Sequence, residues 1–172
     1  TAGVERLRLT SSSIAHAAGV THQMLGQNRF RHLQSMVRVF QSVALSIPNA
    51  AFTALTWNSE TFDTDNLHST VTNTDRLTAA IAGKYLVTVN MGFVANATGI
   101  RVVRIGKNAA TFYGRLDRLG NASDANTLGM TALVDLVAND FVTAEVFQDS
   151  GGALNTRDGS ADMNLQMVYV GE

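Results

Sequence analysis

The 172-residue chain contains no cysteine, one proline and no apolar stretch long enough to cross a membrane. Without cysteine there can be no disulfide framework, no thiolate metal site and no thiol nucleophile, so stability must come from packing, hydrogen bonding or self-association. A membrane helix needs about 20 predominantly apolar residues. Thr1 is the residue expected after removal of an initiator methionine, and Glu5, Arg6 and Arg8 stand where a cleaved signal would be apolar. We expect a soluble chain with no membrane partner, built around one core.

Signatures of nucleotide-binding and hydrolytic enzymes are also missing, including the glycine-rich phosphate loops and the zinc-protease motif. A catalytic triad would need His68 or a histidine near the N-terminus, and His68, in the polar stretch 66–69, is expected to be a satisfied surface histidine. The stretch 63–66 (DTDN) offers oxygen ligands to Ca²⁺, but no glutamate or glycine completes an EF-hand loop and such turns form for backbone reasons alone. We expect no enzymatic activity, catalytic residue, cofactor or metal.

Charge is unevenly distributed along the chain. Residues 1–38 hold five arginines and one glutamate, a net charge of +4, whereas the remainder holds 8 basic and 13 acidic residues. Such asymmetry suggests docking on an acidic partner, with a solvated extension as the alternative. Dispersed arginines with Phe30 as their one aromatic neighbour argue against nucleic acid, whereas bidentate pairing with carboxylates favours a protein surface. The candidate anchoring residues are Arg6, Arg8, Arg29, Arg31 and Arg38.

From residue 36 onward the pattern is that of an all-β domain. Runs rich in Val, Thr, Phe, Tyr and Leu alternate with Gly, Asn and Asp clusters, and helical stripes are missing. Nine such runs with short connections predict a two-sheet antiparallel sandwich of jelly-roll or Greek-key type. The predicted strands are Met36–Leu45, Ala51–Trp57, Arg76–Ala80, Lys84–Ala95, Gly99–Ile105, Ala110–Leu116, Met130–Val137, Phe141–Gln148 and Met163–Val170.

The change in pattern near residue 36 predicts two parts. Residues 1–35 are expected to form an extended basic anchoring arm, and residues 36–172 the β-domain. Within the arm, the alternation in Val4–Thr10 predicts a short strand, and Ser13–Ala18 could cap and form one helical turn.

Several strands are apolar on both faces, which is more than one thin core requires. We therefore expect an outer sheet face to be covered by self-association, with a well-filled monomer core as the alternative. The residues concerned are Leu133, Val137, Val142, Val146, Leu165, Met167, Val168 and Val170.

A series of short motifs runs through residues 63–142. They are Asp63-Thr-Asp65, Asn73, Arg76-Leu77-Thr78, Ala82-Gly83-Lys84-Tyr85, Ile105-Gly106-Lys107-Asn108, Val134-Asp135-Leu136 and Asn139-Asp140-Phe141-Val142. Their order resembles that of the globular heads of the complement-1q and tumour necrosis factor superfamily, over roughly residues 36–172. Ala109 and Asn139 depart from it, since that family commonly has glycine at both positions. The stretch Ser46–Thr78 is similar to jelly-roll modules of bacteriophage virion proteins.

The resemblance implies a ten-stranded jelly roll that assembles as a homotrimer, with one sheet of each subunit around the threefold axis. In that family the strand after the Ala-Gly-x-Tyr turn and the final strand belong to the inner sheet. Alternation does not separate core from threefold roles, because both remove comparable apolar area from water. By position, the candidates for either contact are Tyr85, Val87, Val89, Phe93, Leu165, Met167 and Tyr169.

Two functions fit these expectations. The first is a non-enzymatic structural virion protein on the surface of a phage particle: a trimeric capsid decoration, cement or head-spike knob whose arm binds capsid or other virion proteins. The alternative is the receptor-binding tip of a tail fibre, which recognises a host surface glycan or protein through loops such as Asp117–Asn126. The lack of a fibrous shaft favours the first, and the lack of a collagen-like stem argues against a complement-like adhesin.

Overall fold

The computed structural model describes residues 22–25, 29–32, 34–123 and 125–172. The chain divides into two units, Thr1–Leu33 and Gln34–Glu172. In the first unit, β1 (His22–Leu25) and β2 (Arg29–His32) form an antiparallel hairpin. The strand and helical turn expected before residue 19, with Arg6 and Arg8, lie outside the described residues. The anchoring role of residues 1–35 stays a prediction.

The second unit is a sandwich of two five-stranded antiparallel sheets, which confirms the predicted all-β jelly-roll class. Its strands are β3 (Met36–Phe40), β4 (Ser46–Ile47), β5 (Thr53–Ala54), β6 (Ser59–Asp63), β7 (Arg76–Thr78), β8 (Gly83–Phe93), β9 (Asn96–Lys107), β10 (Thr111–Asn121), β11 (Asn126–Leu136), β12 (Phe141–Gln148), β13 (Leu154–Asn155) and β14 (Asn164–Gly171). Sheet I has the order β11-β8-β14-β3-β6. Sheet II has the order β10-β9-β12-β5, with β7 also paired to β12. Strands β4 and β13 form a separate pair.

All nine predicted strands overlap an observed one, but their ends differ. Strand β5 keeps only two of the residues predicted for Ala51–Trp57, because Trp57 N–H donates to Thr74 O instead of continuing the ladder with β12. The sequence analysis missed β6, which lies at the edge of sheet I. Its residues are half-buried or exposed, so it lacks the apolar alternation that marks the inner strands. None of the described residues forms a helix that could cross a membrane.

The core lies between the two sheets and is supplied by alternate residues of each strand. On β8 the inward-facing side chains run from Tyr85 to Phe93 in steps of two, and all are fully buried. Val103 and Ile105 of β9 and Val142 of β12 belong to the same cluster. Burying each large apolar side chain contributes about 1.5 to 3 kcal/mol. The period-two alternation read from the sequence therefore assigns the buried face correctly.

The Ala-Gly-x-Tyr motif at the start of β8 leaves room for the aromatic ring of Tyr169. Gly83 has φ of 145°, and a Cβ there would lie 2.5 Å from Tyr169 Cε2 and 2.7 Å from Gly171 O. The Tyr169 ring packs edge-on against Tyr85, with centroids 5.4 Å apart. The Tyr85 hydroxyl donates to Ile81 O at 2.9 Å. Glycine is required at position 83 because any side chain would displace the ring that closes this end of the core.

Candidate interaction surfaces

The residues predicted for core or threefold contacts line the interior of a single subunit. Tyr169 is half-buried and packs against the core cluster. The other six are fully buried: Tyr85, Val87, Val89, Phe93, Leu165 and Met167. A subunit contact made through these strands would therefore have to use their alternate residues, which point outward.

Those outward residues form an apolar row across sheet I, which consists of Leu133, Leu86, Val168 and Met36. Neighbours in the row are paired across β11, β8, β14 and β3. Leu133 is 56% exposed and Leu86 41% exposed, and the other two are half-buried. Adjacent strands lie about 4.8 Å apart, so the row is roughly 14 Å long. A continuous exposed apolar row is a candidate surface for a protein contact.

The residues predicted to make strands apolar on both faces divide into three groups. Val142, Val146, Leu165 and Met167 belong to the buried core. Val168 is half-buried. Leu133, Val137 and Val170 stay exposed in the single subunit, by 56%, 60% and 49%.

The candidate anchoring arginines fall in different parts of the chain. Arg29 and Arg31 lie on β2 of the N-terminal hairpin. Arg38 instead lies on β3 in sheet I, where Nη1 donates to Thr61 Oγ1 at 3.2 Å and Nη2 to Ser160 O at 2.7 Å. Arg38 is therefore held by the sandwich and is not part of the unit that contains the other four.

Two of the sequence motifs meet at one end of the sandwich, where the β9–β10 turn contacts the β11–β12 turn. The Asp140 carboxylate accepts hydrogen bonds from Lys107 Nζ at 2.7 Å, Asn108 Nδ2 at 2.6 Å and Val137 N–H at 2.9 Å. Asn108 Oδ1 in turn accepts from Phe141 N–H at 2.8 Å. The bond from Lys107, with those from Asn108 and Val137, lowers the pKa of Asp140 to about 2.

Ala109 and Asn139, the two residues that differ from the family motifs, both adopt the left-handed backbone conformation that favours glycine. Ala109 has φ of 54° in the β9–β10 turn, and Asn139 has φ of 73° in the β11–β12 turn. Asparagine tolerates this region, but alanine there costs about 1 to 2 kcal/mol. The bonds between Asp140 and the β9–β10 turn help to hold Ala109 in place.

The Asp140→Asn variant is expected to lose pH-dependent stability. The folded pKa of about 2 lies below the ordinary value of 3.8, so the carboxylate contributes about 2 kcal/mol above pH 4, and this contribution falls away toward pH 2. Urea unfolding of wild type and Asp140→Asn should therefore show a gap of that size at pH 7 that closes near pH 2. Asp117→Asn, in the exposed pair with Arg115, should show no comparable gap. A gap for Asp140→Asn that is equal at both pH values would contradict the assignment.

A small polar pocket lies in the loop between β6 and β7, with a volume of about 140 Å³. Leu67 and His68 are its buried lining residues. The remaining walls are the polar residues Asn66, Ser69, Thr72, Asn73, Arg76 and Thr78.

The expectation that His68 is a surface histidine is wrong. Its side chain is fully buried, with Nδ1 2.8 Å from Glu60 Oε1 and Nε2 3.4 Å from Thr74 O. Glu60 lies on β6, the strand that the sequence analysis missed, so the partner that accommodates the buried ring could not be recognised.

The stretch 63–66, considered above as a Ca²⁺ site, stabilises the loop between β6 and β7 through Asp63. The Asp63 carboxylate accepts hydrogen bonds from the backbone N–H groups of Asp65, Leu67 and His68, at 3.2, 3.0 and 2.9 Å. Within the described ranges, no group of three or more His, Asp or Glu side chains could hold a metal ion. Asp63 therefore serves the loop backbone, as Asx turns commonly do.

The predicted recognition loop Asp117–Asn126 is mostly strand. Strand β10 continues to Asn121, and β11 begins at the buried Asn126. Leu119, near the end of β10, is 75% exposed.

Comparison with solved structures identifies the fold. Murine APRIL at pH 5.0 superposes with a TM-score of 0.61 at 14% identity, covering 80% of this chain and 99% of that one. The Eiger TNF structure from S. frugiperda gives 0.62 at 12% identity, covering 81% and 94%. The globular domain of zebrafish complement 1qA gives 0.56 at 12% identity, covering 79% and 96%. The fold is a tumour necrosis factor-like jelly roll.

At these identities the likeness establishes the fold and nothing finer. By sequence, no protein-family model and no curated protein matches the chain.

Proposed function

We propose that this protein is a non-enzymatic structural component of a phage particle: a homotrimeric jelly-roll knob on the virion surface, anchored by its basic N-terminal segment. The observation that carries the proposal is the apolar row of sheet I, which is exposed in the single subunit. The similarity of Ser46–Thr78 to virion jelly-roll modules supports the location, and the net charge of +4 in residues 1–38 supports the anchoring role.

The apolar row suits a symmetric contact because it crosses four paired strands and is bordered by polar and charged side chains, as the rim of a protein interface usually is. The next row on the same face consists of Thr131, Thr88 and Gln166, and the two threonine hydroxyls lie 2.9 Å apart. Arg38 on β3 ends this row, where it pairs with Gln166, and Lys84 paired to Asp135 borders the apolar row on its other side. Three copies that meet through this face would cover the row and close the assembly without leaving a free apolar edge.

The anchoring segment is proposed to act through charge complementarity with acidic side chains on the capsid. Arginine forms bidentate pairs with carboxylates, and Arg29 and Arg31 are separated by one residue on β2. Anchoring of this kind should weaken as salt is raised.

The test separates assembly from anchoring. We expect the full chain to sediment with three times the subunit mass, and a chain lacking residues 1–35 to stay trimeric but fail to bind capsids that lack this protein. The full-length double variant Arg29→Glu, Arg31→Glu should bind capsids more weakly without a change in melting temperature. Capsid binding that survives the truncation would refute the anchoring role, and a monomeric full chain would refute the assembly.

The alternative function, recognition of a host surface by a fibre tip, is favoured by the polar pocket between β6 and β7. If the purified protein binds host cells and blocks infection while it fails to bind capsids, this function replaces the first.

A further inference from the structure

We propose that the pocket between β6 and β7 binds a carboxylate-bearing sugar residue, with Arg76 as the anchor for the carboxylate. The inference concerns the pocket alone and does not depend on trimer formation or on capsid anchoring. Three features carry it: an oriented guanidinium with free terminal nitrogens, an excess of hydrogen-bond donors, and a size suited to one small ring.

The Arg76 guanidinium contacts two neighbouring side chains, but its two terminal nitrogens remain available to a ligand. Its central carbon lies over the Phe141 ring, 4.1 Å from the ring centroid, in a cation–π contact. Nε lies 3.4 Å from Asp75 Oδ1, and the side chain is 30% exposed. Neither Nη1 nor Nη2 has a hydrogen bond within the described residues. Two parallel N–H groups at a fixed angle form the fork that binds a carboxylate bidentately.

Two other arginines of the sandwich, Arg104 and Arg115, use their terminal nitrogens within the protein. Arg104 Nη2 donates to Glu145 Oε2 at 2.5 Å, while the rings of Phe52 and Phe112 cover the guanidinium. Arg115 donates from Nε and Nη2 to the two carboxylate oxygens of Asp117. Their forks are already used within the protein, whereas Arg76 lines the pocket and its terminal nitrogens have no partner among the described residues.

The other residues that line the pocket supply hydrogen-bond donors. None of them has a carboxylate that would compete with a ligand for these donors. The side-chain amides of Asn66 and Asn73 and the hydroxyl of Thr78 have no hydrogen-bond partner among the described residues. Ser69 Oγ accepts from the N–H groups of Val71 and Thr72, so its own proton is free to donate.

The nearby acidic side chains are already engaged by the protein. Glu60 contacts His68, and Asp63 accepts three backbone N–H groups. Asp75 contacts Nε of Arg76 and leaves the two terminal nitrogens open. The pocket therefore combines an arginine whose terminal nitrogens are open with several unmatched donors, which favours a ligand rich in oxygen acceptors.

The size and lining of the pocket favour an acidic sugar over other anions. A volume of about 140 Å³ is below the usual range for drug-sized ligands, roughly 300 to 1,000 Å³, and suits a single small ring. One arginine matches a monoanionic carboxylate better than a phosphate, because His68 is committed to Glu60. Amide and hydroxyl walls suit sugar hydroxyls, whereas an acidic peptide would also need apolar contacts.

Titration of the full chain with glucuronic acid tests the proposal, with backbone amide NMR and calorimetry as readouts. We expect millimolar binding that shifts the amides of residues 66–78, and at least tenfold weaker binding of glucose and of acetate. Arg76→Met should weaken glucuronic acid binding at least tenfold. Asn73→Gly, which keeps the left-handed backbone of Asn73 (φ 51°) and removes only the amide, should weaken it several-fold. Arg115→Met, the matched control, should bind as wild type does.

Each other outcome overturns the proposal. Acetate or inorganic phosphate that binds as tightly as glucuronic acid would indicate a general anion site. Tighter binding of a capped glutamate peptide would assign the pocket to a protein ligand. Unshifted amides in residues 66–78, or full affinity in both folded variants, would show that the pocket does not bind the sugar. All of these titrations use the isolated protein. A negative result for sugar binding therefore does not bear on the trimer and capsid-binding experiments.

Discussion

Replacing Tyr85 with aspartate is expected to unfold the domain, whereas replacing its neighbour Leu86 with aspartate is expected to leave it folded and dissociate the proposed trimer. The two residues are adjacent on β8 but point to opposite faces of sheet I. Tyr85 is fully buried between the sheets, and Leu86 is 41% exposed in the apolar row. The same substitution at the two positions therefore separates folding from assembly.

The stability lost in the Tyr85→Asp variant has two causes. Removing a buried aromatic side chain costs about 3 to 5 kcal/mol, and a carboxylate in its place would have no partner in the core. The sum approaches the whole stability of a typical domain, about 5 to 15 kcal/mol. Tyr85→Phe should lose only about 1 kcal/mol, because it removes one hydrogen bond, to Ile81 O.

Sedimentation and circular dichroism distinguish the outcomes. Tyr85→Asp should give aggregate or unfolded monomer, Tyr85→Phe a folded trimer, and Leu86→Asp a folded monomer of nearly unchanged subunit stability. A soluble Tyr85→Asp trimer with the wild-type melting temperature would contradict the burial assigned to this residue. A Leu86→Asp trimer would exclude the apolar row from the subunit contact.

Arg101→Met is expected to lower the free energy of unfolding by about 3 kcal/mol, although the sequence analysis did not single out this residue. Arg101 is fully buried on β9, with its guanidinium near the Phe93 ring, 5.7 Å from the centroid. Nη1 donates to Thr98 O at 2.9 Å and to Ile100 O at 3.0 Å, and Nη2 donates to Asn96 O at 3.2 Å. Methionine preserves the apolar stem but leaves these carbonyls without their charged donor.

The electrostatics around Arg101 agree with a structural role. Burial lowers the pKa of the guanidinium, and the charge of Asp149 opposes that shift. Asp149 Oδ1 also accepts a hydrogen bond from Ile100 N–H at 2.5 Å. The Arg101 guanidinium and the Asp149 carboxylate therefore both bind the backbone at the start of β9. Gly99, with φ of 73°, has no room for a side chain because a Cβ would collide with Asp149.

Chemical denaturation measures the effect of Arg101→Met directly. Arg118→Met is the control, since Arg118 is exposed and makes one bond, to Thr127 O at 3.1 Å; it should change stability by less than about 1 kcal/mol. If the two variants lose equal amounts, the three carbonyl bonds of Arg101 contribute no more than a surface contact does.

The sequence alone was enough to recognise the all-β class, the inward face of β8 and the turn motifs around Gly83 and Asn139. These features are local: side chains alternate with a period of two, and glycine or asparagine marks left-handed turns wherever they occur. The apolar surplus on the outward strand faces could be read in the same way, because Leu133 alternates with its buried neighbours Ala132 and Val134.

The pairing order, the burial of His68 and the positions of Arg76 and Arg101 became visible only in the folded chain. Each depends on residues that are distant in sequence or on a strand without an apolar pattern, such as Glu60 on β6 beside His68 or Phe141 beside Arg76. Alternation tells which side of a strand faces inward, but it carries no information about which strand lies next to it. The polar pocket, whose arginine is oriented by a ring 65 positions later in the chain, therefore has no signature in the sequence.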